Sequence, residues 1–284
     1  MNFPHRISGS LPLGISDARF KAGDGVLLIG HGTRDGVGTE QFFELASRLA
    51  NRLSPLPVEP CLLELQRPTI EEGWQRLHDR GVKRVLASPL LLFAAGHARS
   101  DIPTALNRCL ERWPQMTWRE SRPLSRAPEL LRLVLQRLDE SLEQASSAAE
   151  QIAVVMVGRG SYDPCAQTDM KLLTHWLAGQ RRGHAFVTAF YAMAQPRLTD
   201  TLERFKDSTV FRSIIVQPHL LFEGNLYQSI LQQTQQVADQ QPDKQFIVSK
   251  YLGPEPEVVE ALVRRLGPSA LDGWTSGVPS LPGL

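Results

Sequence analysis

Cysteine is scarce in this chain. There are three, Cys61, Cys109 and Cys165, with no close pair and no zinc-finger spacing. That excludes a disulfide scaffold and a structural zinc site, and fits a reducing compartment such as the cytoplasm. Charge imbalance is also missing. Thirty-one Lys and Arg against 30 Asp and Glu leave a net charge of +1. A broad electrostatic footprint for nucleic acid is therefore not expected. No apolar run reaches the ~18 residues needed to cross a bilayer, so no membrane role is expected. The segment MNFPHRISGSLPLG has no apolar stretch of signal-peptide type. The first glycine-rich loop, GHGTRDG, has neither the glycine spacing nor the lysine of a nucleotide-binding loop.

What the sequence does contain is one pattern written twice. VLLIGHGTRD at Val26–Asp35 is answered by AVVMVGRGSYDP at Ala153–Pro164. Pro68 and Pro128 recur as Pro196 and Pro256 at the same offset of 128 that separates His31 from Arg159. PLLLF at Pro89–Phe93 is answered by PHLLF at Pro218–Phe222. A constant offset over separate segments signals duplicated domains. The expected division is a flexible lead over 1–23, a first domain over 24–145, a second over 151–266, and a loose Gly/Pro/Ser-rich tail over 267–284.

Within each copy, short apolar runs alternate with 3.6-period segments. The first copy predicts strands over Gly25–Ile29, Val58–Leu65, Val82–Leu92 and Thr117–Arg122. Helices are predicted over Glu40–Leu53, Thr69–Arg80, Ile102–Trp113 and Pro128–Leu142. Thr69 with Glu72 has capping-box spacing. The second copy repeats the order from Ile152 to Leu266. The expected fold is α/β: two similar doubly wound domains, each a mainly parallel four-stranded sheet flanked by helices. Ligands in such folds sit beyond the carboxyl ends of the strands, here in a cleft between the domains.

His31, Glu64 and His97 fall just past the first three strands, 33 residues apart in each step. Two imidazoles and a carboxylate on one rim suit a borderline divalent metal such as Fe²⁺, Co²⁺ or Ni²⁺. The same groups also suit proton transfer near neutral pH. An isolated strand-end histidine is more often an ordinary loop residue, so the argument rests on the three together. In the second copy these places hold Arg159, Ala192 and Asn225. The metal pattern is lost, and Arg159 offers a donor fork for carboxylates or is a neutral relic of duplication. His219 either points to the cleft or belongs to the core, the core being preferred. Glu223 is a cleft residue or a plain loop carboxylate.

LLIGHGTRD, LLELQRPTI and PLLLFAAGHARSDIP together resemble the sirohydrochlorin chelatases, the class II tetrapyrrole chelatases, in their long two-domain form. The resemblance spans roughly residues 24–266. It implies ATP-independent insertion of Fe²⁺ or Co²⁺, with Ni²⁺ a further candidate, into sirohydrochlorin, with no nucleotide cofactor. By the same resemblance His31 and His97 bind the metal, and Glu64 assists binding or pyrrole deprotonation. Arg34, Arg67, Arg99, Arg159 and Arg197 are candidates for the substrate's carboxylates. Tyr191, with Leu92, Phe93 and Phe222, is a candidate for its ring face. The second copy departs from the pattern, so one metal site per chain is expected, with the second domain shaping the substrate pocket. The expected protein is cytoplasmic and a monomer or homodimer. The competing reading is a non-catalytic tetrapyrrole or metal carrier.

Overall fold

The computed structural model describes residues 20–93, 100–267 and 275–276. The first half runs β1 (Asp24–Gly30), α1 (Gly36–Leu53), β2 (Val58–Leu62), α2 (Ile70–Asp79), β3 (Arg84–Pro89), α3 (Ile102–Arg112), β4 (Thr117–Glu120) and α4 (Pro128–Leu142). The second runs β5 (Ile152–Gly158), α5 (Pro164–Gln180), β6 (Ala185–Phe190), α6 (Leu198–Asp207), β7 (Ser213–Pro218), α7 (Asn225–Ala238), β8 (Gln245–Val248) and α8 (Pro256–Arg265). The strand orders are β2-β1-β3-β4 and β6-β5-β7-β8, with every pairing parallel. One correction concerns the tail. Thr275–Ser276 form a fifth strand, β9, which pairs antiparallel with β4 and closes that edge of the first sheet.

The strands read as continuous apolar runs because both of their faces are covered. Val26 and Leu28 of β1 face a core built with α1, whereas Leu27 and Ile29 face α2 and α3. The strand order forces this split. Right-handed crossovers put the β1–β2 helix on one face and the next two helices on the other. Thr69 caps α2 in the expected capping box with Glu72.

The fourth helix of each half has no following strand in its own parallel sheet, so no crossover fixes its place. α4 packs against β7 of the other half. Gln217 Nε2 donates to Val134 O at 2.7 Å, and the buried Ser141 and Ser249 hydroxyls meet at 2.7 Å. α8 packs against α1 and α4, with Arg52 Nε 2.6 Å from Glu260 and Arg264 on Glu129. One face of each sheet, carrying Leu28 in the first and Met156 in the second, thus shares a central core with α1, α4, α5 and α8. Arg137 is buried within it and spans the halves, bonding Glu140, Glu255 and Tyr251 O. The two halves are joined face to face by packing, well beyond the short linker.

Candidate functional site

The site starts where β1 ends. Leu63 N donates to Gly30 O at 2.9 Å and Glu64 N to His31 O at 3.2 Å, so backbone pairing continues past both strands. Gly32 lies at φ +92°, and a Cβ there would stand 2.0 Å from Glu64 O. Only glycine lets the two loops close this far. The result is a side-chain pair: His31 Nε2 is 3.3 Å from Glu64 Oε1, with 28% and 47% of the two side chains exposed. His31 Nδ1 lies 3.1 Å from Gly32 O. If Nδ1 carries the proton and donates there, the Nε2 lone pair faces the carboxylate. That contact becomes attractive when a proton or a metal ion lies between the two.

Neighbouring groups hold the loops in register. Gln66 Nε2 donates to Thr33 O at 2.5 Å, and Thr39 Oγ1 donates to Gln66 Oε1 at 3.0 Å. Asp35 caps α1 through Gly38 N at 3.1 Å. Glu64 sits two residues beyond the end of β2 and not within it, on a loop whose backbone still pairs with His31. His97 and Arg99 lie outside the described residues. Among the described residues no group of three His, Cys, Asp or Glu comes together.

The second half keeps the backbone and changes the side chains. Gly160 lies at φ +93°, a Cβ there would stand 1.7 Å from Ala192 O, and Ala192 N donates to Arg159 O at 2.9 Å. Arg159 and Ala192 thus occupy the frame of His31 and Glu64. Arg159 and Arg34 are exposed on equivalent loops. Arg67 bonds Glu72 at 2.5 Å and is 80% exposed. Arg197 Nη1 donates to Tyr191 O at 3.1 Å. Tyr191 itself packs on the outer core of the second half, while Leu92, Phe93 and Phe222 pack on the shared core. Two surface cavities, of about 480 Å³ and 580 Å³, lie between α7 and β8 and between α2 and α3.

Loops from the two halves meet over the shared core. Glu223 N donates to Gln41 Oε1 at 2.9 Å, Gln41 Nε2 donates to Tyr251 OH at 2.7 Å, and Tyr251 OH donates to Glu223 Oε2 at 3.2 Å. Sequence reasoning missed Gln41 and Tyr251, which no spacing connects across 210 residues. His219 stacks on Phe93 at 5.1 Å between ring centroids and is 4% exposed, a core residue. Burial lowers its pKa from 6.5 to about 4. The unfolded chain binds a proton over that interval and the folded chain does not, so stability falls as pH drops from 6.5 towards about 4. The shift is worth about 3 kcal/mol. His219→Leu, which copies Leu90 of the first half, should flatten that part of the denaturant-stability profile. Identical acid slopes for the two proteins would contradict this.

The pattern that defines the CbiX family matches residues 25–141 and again residues 153–269. A sirohydrochlorin ferrochelatase of Priestia megaterium is 32% identical over 230 residues, covering 81% of this chain and 84% of that protein. A sirohydrochlorin cobaltochelatase of the same organism is 29% identical, covering 84% of this chain and 78% of that protein. The solved structure of SirB from Bacillus subtilis with Fe³⁺ superposes with a TM-score of 0.75 at 26% identity, covering 86% of this chain and 94% of that one.

Proposed function

The chain belongs to the CbiX family, and from this membership and the geometry of its rim we propose that it inserts a divalent metal, Fe²⁺ or Co²⁺, into sirohydrochlorin without ATP. The observation that carries the reading is the His31–Glu64 pair, 3.3 Å apart at the carboxyl ends of β1 and β2. Metal and macrocycle are both substrates. Insertion forms metal–nitrogen bonds and releases the two pyrrole N–H protons. An imidazole that ligates and a carboxylate that accepts a proton supply both needs in one place. His97 completes the metal set in this proposal. A partly solvated, incomplete shell also suits release, because the metal has to leave the protein with the product.

The second half has a different part. With Arg159 in place of His31 it holds no metal, and it meets the substrate's carboxylates through Arg159, Arg197 and, across the rim, Arg34, Arg67 and Arg99. The chain acts as one body in the cytoplasm, as a monomer or homodimer, with no nucleic-acid or membrane partner. Among the described residues no helix is long and apolar enough to cross a membrane.

An anaerobic absorbance time course with sirohydrochlorin and Co²⁺ in excess over protein tests the reading. Many turnovers above the spontaneous rate support catalysis. A spectral change that stops at one equivalent, with no acceleration, would make the protein a carrier.

A further inference from the structure

Leu65 follows Glu64 in the chain and stands at the centre of a tight turn. Gln66 N donates to Glu64 O at 2.9 Å around Leu65, which is held at φ +70°. A positive-φ turn of this kind built on a non-glycine residue is rare and strained. The second half repeats it. Ala194 N donates to Ala192 O at 2.7 Å around Met193 at φ +59°.

The two turns differ in what they display. Met193 is half-buried, whereas Leu65 is 54% exposed beside the His31–Glu64 pair. A leucine held in a strained backbone and left in solvent adds little to the core. Its surroundings point the same way. Five large apolar side chains are exposed among the described residues, and three of them, Val37 in the first turn of α1, Leu65 and Tyr162, lie on the segments that follow β1, β2 and β5. The rim that presents the imidazole and the carboxylate therefore also presents apolar surface.

We propose that Leu65 is a substrate-binding residue that packs on an apolar face of the tetrapyrrole macrocycle and holds the ring beside Glu64 and His31. This rests on the chelatase reading for the identity of the ligand. In it, the strained turn serves display: the peptide that sets the Glu64 carboxylate also lifts the Leu65 side chain off the core. Apolar contact then sets the ring's position, and charged groups engage its periphery.

The test is a fluorescence titration with metal-free sirohydrochlorin, alongside equilibrium dialysis with Co²⁺ alone. Leu65→Ala keeps the Cβ and the turn but removes the apolar reach. It should raise the sirohydrochlorin Kd, and the KM of metal insertion, roughly fivefold to tenfold. Co²⁺ affinity should stay within about twofold, and Leu65→Met should restore sirohydrochlorin binding. An unchanged sirohydrochlorin Kd in Leu65→Ala overturns the proposal while leaving the chelatase reading intact. A parallel loss of Co²⁺ binding also overturns it, because Leu65 would then act only by shaping Glu64. Leu65-dependent binding without turnover in the parent protein keeps the proposal and sinks catalysis. No sirohydrochlorin binding by the parent protein sinks both.

Discussion

Replacing His31 by alanine should slow metal insertion by about a hundredfold to ten-thousandfold, the usual range for losing a positioned acid–base group. In barrier terms that is about 3–5 kcal/mol. The loss should be large because one side chain carries two expected duties, as a ligand to the incoming metal and as a base within reach of Glu64 at 3.3 Å. Glu64→Gln keeps the size and removes the charge, and a smaller loss of about tenfold to a hundredfold is expected. Arg159→Ala makes the corresponding truncation in the other half. It should raise KM for sirohydrochlorin and leave the metal dependence alone. Initial rates under anaerobic conditions, with metal and tetrapyrrole varied separately, distinguish these results. A His31→Ala protein within about twofold of the parent rate would remove His31 from the chemistry.

Gly32→Ala should both destabilise the protein and disable the site. The new Cβ would stand 2.0 Å from Glu64 O on a backbone at φ +92°. The loop has to open, and the expected cost is about 2–4 kcal/mol. Melting should fall by on the order of 8 °C. Opening the loop also separates Glu64 from His31, so Co²⁺ affinity should fall with it. Gly160→Ala meets the same obstacle, with a Cβ 1.7 Å from Ala192 O at φ +93°. Its melting temperature should drop by a similar amount while Co²⁺ affinity holds. The two variants share one mechanical fault in two copies of one frame, and the frames differ in carrying His31 and Glu64 or Arg159 and Ala192. Equal loss of Co²⁺ binding in both would mean that the second half contributes to the metal site.

Much of this molecule was legible in the repeat. The offset of 128 between His31 and Arg159 marks positions that share a glycine frame in the structure. Continuous apolar runs announced parallel strands covered on both faces, and the Thr69–Glu72 spacing announced a helix start. Strand ends were less legible. Leu90–Leu92 continue the apolar run of β3, yet the strand stops at Pro89, and Leu90 packs into the shared core. Leu90 N still donates to Ile29 O at 2.8 Å, so pairing fades just past the strand and hydrophobicity does not mark where it stops. The partners of α4 and α8 were illegible for a related reason. An amphipathic helix states that one face is covered, but not by which sheet. Arg137 shows the limit most plainly: a charged residue on α4 is buried, and besides Glu140 on its own helix its partners Glu255 and Tyr251 O come from the other half. The turns at Leu65 and Met193 were hidden because neither residue advertises a positive φ.

The central claim is that each chain holds its metal once, at the end of β1 and β2 in the first half. Equilibrium dialysis of the metal-free protein against Co²⁺ tests it directly. One equivalent per chain is expected, lost in His31→Ala and retained in Arg159→Ala. Two equivalents in the parent protein, or one equivalent that survives His31→Ala, would contradict it.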